Sequence, residues 1–471
     1  MSADTFVFNG VDAVTGSYLT PALSAEQVAQ LAQGETLDAQ RMDELRARHH
    51  AQTAQTMGVP WGVDAQDLAQ AGWGVVFAHD SDPQLHSALA SLLQMRAGQA
   101  GVRYKEFSGA AGVRPDDTAR AWLVRHGVGP GQPQVNKVPY YLLVVGDPEA
   151  ISFRFQYELG LNYAVGRIVF GTVEEYARYA MNVVAHDTAA KPTTGSKACF
   201  FGVRNADDQA TTMSAERLVE PLAAALEATR AAAGWKVNRL LAADATRANL
   251  QALLNGSEPP ALLFTASHGM GFPNGHALQD RHQGALLCQE WPGPRAHRGA
   301  VPPEFYFSAD DLSESAQLGG MIAFHFACYS AGTPKLDDYA HRNNMREQIA
   351  PHAFVADLPR RMLSLSGGGA LAAVGHVERA WGYSFMWPGA GNQTDMFENC
   401  LGALMDGSRL GPALEAFAAK HADLAVNLNG ELENIKFGAK ADPVALANLW
   451  TANNDARGYV IIGDPAVKIP R

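Results

Sequence analysis

Two strings in the middle of the chain carry the side chains best suited to covalent chemistry. The apolar run Ala261-Leu262-Leu263-Phe264-Thr265-Ala266 ends in Ser267-His268-Gly269, and the run Met321-Ile322-Ala323-Phe324-His325-Phe326-Ala327 ends in Cys328-Tyr329-Ser330. A thiolate is the reactive form of cysteine, yet a free thiol with a pKa of about 8.5 is mostly protonated at neutral pH. An imidazole beside it can take that proton and later return one to a leaving amine. If the two runs are adjacent parallel strands, their axes lie about 4.8 Å apart, and His268 and Cys328 overhang one site. Gly269, lacking a Cβ, lets its N–H approach a substrate carbonyl. With the N–H of Cys328 it would form an oxyanion hole, whose loss costs on the order of a hundredfold or more in acyl transfer. The blander alternative is a cysteine packed as a small apolar residue and a His-Gly pair in an ordinary loop.

The elements around these strings must position them. Residues 24–57 are polar and helix-prone, with Val28 and Leu31, then Met42 and Leu45, at helical spacing on either side of a break at Gly34. Short β-rich runs then alternate with helical patterns: strands at 73–78, 102–107 and 140–145, helices at 83–96, 118–126 and 173–185. Residues 187–197, rich in Thr, Gly, Ser and Pro, read as a linker. A second unit follows, with strands at 198–203, 237–241, 261–266, 321–327 and 370–374 and helices at 213–232 and 247–254. The expected organisation is an N-terminal helical segment over 1–70, an α/β subdomain over 71–190 and a doubly wound domain over 191–471. The strings Val144-Val145-Gly146-Asp147-Pro148 and Ile461-Ile462-Gly463-Asp464-Pro465 echo each other, as duplicated halves or as two strand ends with similar turns.

Composition narrows the function classes. The chain has 471 residues, 47% hydrophobic and 18% charged, enough for two or three domains with a substantial core. Lys and Arg total 37 against 48 for Asp and Glu, a net charge of −11, which speaks against a nucleic-acid-binding surface. Cys199, Cys288, Cys328 and Cys400 are widely spaced, so neither a disulfide framework nor a zinc site is signalled, and reduced thiols fit a cytoplasmic location. His276, His282 and His297 lack metal-ligand spacing, and His325 reads as a core group on the face opposite Cys328. No signal-peptide pattern and no long apolar run is visible, so no membrane role is expected. The glycines near 269 and 367 lack the spacing of a dinucleotide-binding loop, and no cofactor is called for.

The strand ending in His-Gly followed by an apolar strand ending in Ala-Cys resembles the caspase-like cysteine peptidases, and most of all the gingipain-type family. The resemblance extends from about residue 140 to the end, through Leu142-Leu143-Val144-Val145-Gly146-Asp147, Ala164-Val165-Gly166-Arg167-Ile168, Gly369-Ala370-Leu371-Ala372-Ala373-Val374-Gly375 and the closing Gly463-Asp464-Pro465-Ala466. It implies a caspase-like doubly wound parallel sheet, preceded by a second smaller α/β unit and an N-terminal helical segment. It also implies an endopeptidase acting on protein or peptide through an acyl-enzyme thioester. His268 then matches the general base and acid, Cys328 the nucleophile, Gly269 an oxyanion donor and Trp381 a residue lining the specificity pocket.

The chain departs from that pattern in places. Where the family keeps a glutamate that orients the histidine, Arg204 is the nearest equivalent, implying a dyad without a carboxylate. Residues 270–318 are longer than the family's connection and rich in Pro and Gly, suggesting an inserted hairpin or flap. Asp207 and Asp208 lie near the family's pocket aspartate and favour cleavage after Arg or Lys. Arg204 would instead favour an acidic side chain, and Glu378 is a further candidate pocket charge. Synthesis as a zymogen, activated by a protease or regulatory partner, fits a cytoplasmic peptidase. Arg295, Arg298, Lys335, Arg342, Arg346, Arg360 and Arg361 are candidate self-processing sites, and a role in bacterial defence is an analogy with other caspase-like proteins. The competing reading is a catalytically silent interaction module on the same fold.

Overall fold

The computed structural model describes residues 58–60, 62–189, 195–342 and 345–470, with Thr5–Phe6, Val11–Asp12, Leu23–Ser24 and Gly16 nearer the start. The helical pairs expected within 24–57 lie outside the described residues, as does the middle of the 187–197 linker.

Ten strands form the main sheet: β1 Trp73–Phe77, β2 Tyr104–Phe107, β3 Tyr141–Val145, β4 Ala164–Ile168, β5 Lys197–Gly202, β6 Lys236–Leu241, β7 Leu262–Ala266, β8 Ile322–Phe326, β9 Ala372–His376 and β10 Tyr459–Gly463. Their order across the sheet is β2-β1-β3-β4-β10-β9-β8-β7-β5-β6. The first five are mutually parallel, as are the last five, and the two blocks meet antiparallel at β10 and β9. Strands such as Tyr141–Val145 and Leu262–Ala266 are buried at every position, as parallel strands covered on both faces must be. The edges differ. β6 exposes Lys236 and Arg239 and β2 exposes Glu106, charges that discourage pairing with another chain.

Both blocks share one winding. Counted in chain order, β2-β1-β3-β4 and β6-β5-β7-β8 each run second, first, third, fourth, so each reverses direction between its first and third strands. The two copies of the sequence echo follow β3 and β10 in the same block, and in each the glycine, Gly146 or Gly463, turns the chain at positive φ. The second copy is a buried tie: the Asp464 carboxylate accepts from Trp73 Nε1 at 3.0 Å and Arg96 Nε at 2.8 Å. Arg96 lies on helix α1 (Ala90–Ala100) and also pairs with Asp187 at 3.0 Å, at the end of helix α2 (Val173–Asp187).

Local chemistry explains the helix limits. Thr172 and Glu175 form a reciprocal capping box at the start of α2. The expected single helix over 213–232 instead runs Gln209–Ser214, a widened turn Ala215–Val219, then Glu220–Arg230. Pro221, which has no N–H to complete the ladder, accounts for the interruption. Near the C-terminus, α3 (Glu415–Lys436) and α4 (Pro443–Arg457) form a helix pair, α4 opening on Pro443 with Asp442 accepting from the N–H of Val444 and Ala445. Beneath β7 and β8, Phe264 meets Phe324 at 5.6 Å, Phe324 meets Phe397 at 5.7 Å and Phe397 meets Phe417 at 5.2 Å between ring centroids. Each ring contributes about 2–3 kcal/mol by burial, so the two strands bearing His268 and Cys328 stand on a stiff floor. Among the described residues, no helix is long and apolar enough to cross a membrane.

Candidate active site

Strands β7 and β8 are parallel neighbours, with Ala266 opposite Phe326. His268 and Cys328 therefore lie two residues beyond paired strand ends, and the N–H of Ser267 extends the ladder to Phe326 O at 3.2 Å. Gly269 fits against the backbone of Cys328 so closely that a Cβ there would lie 1.7 Å from the Cys328 carbonyl oxygen. Only glycine permits this approach.

A carboxylate completes the histidine's surroundings. Asp208 follows β5, the strand at the reversal point of its block, and its Oδ2 lies 2.8 Å from His268 Nε2. The same oxygen accepts from the N–H of Thr211 at 3.1 Å, so Asp208 also caps the helix Gln209–Ser214. The expected dyad without a carboxylate is thus corrected: Asp208, sixty residues before His268, fills the place sought at Arg204. Asp208 is 2% exposed and His268 is fully buried. The Asp208 carboxylate faces the imidazole rather than an open pocket. An Nε2–H donated to it leaves Nδ1 as the ring's basic atom.

Within residues 270–318, where a hairpin or flap is expected, two short strands pair. Leu286–Leu287 pairs antiparallel with Tyr306–Phe307, and the N–H of Leu287 donates to His268 O at 2.9 Å. Trp291 stands edge-on to the His268 ring, 5.9 Å away at 87°. Asn205 secures this segment by donating to Trp291 O at 2.9 Å and Cys288 O at 3.1 Å.

Cys328 is fully buried, and its Sγ accepts from the N–H of Ala380 at 3.3 Å. Burial pushes the thiol up to about 12, against the pull of the Ala380 N–H and the Arg379 guanidinium, while Asp455 and Glu378 push the same way as burial. Tyr329, next to the thiol, has φ 58° and Glu378 has φ 70°, left-handed conformations that side chains rarely adopt. The two strained residues are joined, Tyr329 N–H donating to Glu378 O at 2.6 Å.

Around them lies a buried charge cluster that the sequence reading did not find. Arg379 pairs with Asp337 through two bonds of 2.9 and 2.8 Å and with Glu378 at 2.7 Å. Asp338 pairs with Arg346 and Arg457. Burial and the neighbouring Asp338 raise the Glu378 carboxyl well above the usual range. Glu378, sought as a pocket charge, is 5% exposed and engaged with Arg379. Trp381 is 2% exposed and packs against Tyr339, ring centroids 5.2 Å apart and tilted by 41°, within a small core that includes Leu446 and Trp450. Asp207 is half exposed beside Arg295 at 3.6 Å, and Arg204 is exposed beside Glu216 at 3.3 Å. Neither meets the thiol or imidazole through the bonds described. His325, three residues before Cys328, pairs instead with Thr265 at 2.9 Å in the core, and burial lowers it to about 4.

No family model matches the chain, and no curated protein does. Solved structures do. The Arg-specific cysteine proteinase gingipain R (RGPB) is 12% identical and aligns over 88% of this chain and 80% of its own at a TM-score of 0.49. A structure described as that of a protease is 12% identical, over 86% of this chain and 80% of its own, at a TM-score of 0.50. The complex of Porphyromonas gingivalis RgpB pro- and mature domains is 12% identical, over 85% and 80%, at a TM-score of 0.48. The fold is shared with the solved protease structure. At this level of identity the likeness is one of architecture alone, the mixed α/β layers around a large, mostly parallel sheet.

Proposed function

We propose that the chain is a cysteine endopeptidase in which Cys328 is the nucleophile, His268 the general base and acid, and Asp208 the group that orients the imidazole. The observation that carries this reading is the placement, two residues beyond the paired ends of adjacent parallel strands, of a histidine bonded to Asp208 and of a cysteine whose backbone abuts Gly269. Proton transfer from Sγ to His268 Nδ1 would yield the thiolate for attack on a peptide carbonyl. The N–H groups of Gly269 and Cys328 would receive the oxyanion, and the imidazolium would protonate the leaving amine.

The enclosed state argues for latency. A thiol at about 12 with no open surface is neutral, so the cleft must open before chemistry begins. Backbone pairing of Val11–Asp12 with Met270–Gly271, directly after Gly269, supports a pro-segment role for the N-terminal region. Cleavage after Arg or Lys is favoured by Asp207, an exposed carboxylate in the loop after β5 that already holds the Arg295 side chain. The same burial favours the second reading, a silent interaction module in which Cys328 is a packed thiol.

The test is cleavage of a peptide library varied at one position, by the full chain before and after limited trypsin treatment. Cleavage after basic residues that appears on nicking and disappears in Cys328→Ala is the expected result. Equal turnover by wild type and Cys328→Ala, or none under either condition, overturns the peptidase reading.

A further inference from the structure

Two consecutive backbone amides after β9 face different partners. The N–H of Ala380 donates to Cys328 Sγ at 3.3 Å, and the N–H of Trp381 donates to Asp455 Oδ1 at 2.9 Å. Asp455 sits in the last turn of α4 and is 1% exposed. Its other oxygen accepts from Ser384 Oγ at 2.8 Å, and its backbone carbonyl lies 2.7 Å from His376 Nε2. The turn 380–384 is held from two further sides. Lys420 on α3 donates from Nζ to the carbonyls of Tyr383 and Ser384 at 2.7 and 3.0 Å, and Ser384 Oγ shares a hydrogen with Tyr459 of β10 at 2.6 Å. Among these contacts Asp455 grips the peptide link immediately beside the sulfur.

A buried carboxylate costs folding energy unless its lone pairs are satisfied, and each Asp455 oxygen accepts from this turn, Oδ1 also lying 3.3 Å from His376 Nε2. Fixing the N–H of Trp381 sets the plane of the Ala380–Trp381 peptide and limits rotation at Ala380. Rotation there would carry the Ala380 N–H off the sulfur.

We infer that Asp455 is a positioning residue for the nucleophile: it aims the Ala380 N–H at Cys328 Sγ and fixes the backbone of Trp381. This rests on the reading of Cys328 as nucleophile. A thiolate gains more from an N–H donor than a thiol does, so the contact strengthens as charge develops on sulfur.

The experiment compares the full chain with Asp455→Asn and Asp455→Ala. Asparagine keeps an oxygen for the Trp381 N–H and an amide for Ser384 Oγ, whereas alanine keeps neither. In Asp455→Ala, hydrogen exchange at residues 380–381 should quicken at least about tenfold while the β8 amides stay protected, and kcat for a cleaved peptide should fall about 10- to 100-fold. Asp455→Asn should keep exchange and kcat within about fivefold of wild type. Should Asp455→Ala fail to fold, Ser384→Ala removes one hold on the carboxylate and is expected to give a smaller quickening at the same amides. Unchanged exchange in Asp455→Ala or in its replacement Ser384→Ala, or equal loss of kcat in the alanine and asparagine variants of Asp455, overturns the inference. A wild type that cleaves nothing refutes the peptidase reading instead, and the exchange rates still decide whether Asp455 holds the turn.

Discussion

Replacing Asp208 by alanine tests the site's electrostatics and its architecture together. Its Oδ2 serves His268 Nε2 at 2.8 Å and the Thr211 N–H at 3.1 Å, and also takes the Thr211 hydroxyl. Removing it deletes a helix cap, worth about 1 kcal/mol, and strands a buried imidazole N–H and a buried hydroxyl, at about 1–3 kcal/mol each. Asp208→Ala should therefore lose about 3–7 kcal/mol by urea unfolding. Peptide turnover in the folded protein should fall on the order of a thousandfold, because the ring is free to present the wrong nitrogen. Asp208→Asn removes the charge that steadies an imidazolium and can hold the ring in the wrong tautomer, so its turnover should fall on the order of a thousandfold or more with a stability cost of about 1–2 kcal/mol. A folded Asp208→Ala with wild-type kcat would refute the reasoning.

Three further outcomes follow from the geometry. Gly269→Ala places a methyl carbon against the Cys328 carbonyl, and chemical unfolding should register a loss of about 2–4 kcal/mol or no soluble protein; wild-type stability would mean that the two backbones do not touch. At pH 7, iodoacetamide should alkylate Cys328 on the order of a thousandfold more slowly than a free cysteine, because a thiol pushed up to about 12 presents so little thiolate, with the modified fraction read by mass spectrometry. Glu378 has its folded-state pKa raised, so its contribution to stability is fully present below about 4.5 and is lost as pH rises through the folded value. Glu378→Gln should accordingly melt at a higher temperature than wild type at pH 8, and that advantage should vanish near pH 4; a constant offset across this range would count against the raised carboxyl.

The strands bearing His268 and Cys328 were legible because a doubly covered parallel strand must be a short apolar run, and Leu262–Ala266 and Ile322–Phe326 are such runs bounded by Ser, Gly and Tyr. Their adjacency was not in the residues themselves but in the rule that places ligands at strand ends. Asp208 was singled out as an acid but given another task, since nothing local distinguishes a helix-capping aspartate that also meets a histidine from one that does not. The structure shows it doing both, capping Gln209–Ser214 and meeting His268. The Arg379, Asp337 and Asp338 cluster escaped because Arg379 is 42 residues from Asp337 and no spacing announces a buried ion pair. The antiparallel seam between β9 and β10 escaped for a similar reason. An apolar strand reads the same in either direction, so Tyr459–Gly463 revealed its strand character but not its heading.

That seam bears on how the molecule comes into being. β10 sits in the middle of the sheet yet follows every other described strand in the chain, and it joins Ile461 to Gly166 on one flank and Val374 on the other. As the polypeptide leaves the ribosome, nine strands can emerge and partly associate while the gap between the two blocks stays open. The turn 380–384 is braced by Asp455 and Tyr459, so its geometry also waits for this closing stretch. A nascent chain would hold its sulfur in an unfinished setting until residues 455–463 have emerged and joined the fold.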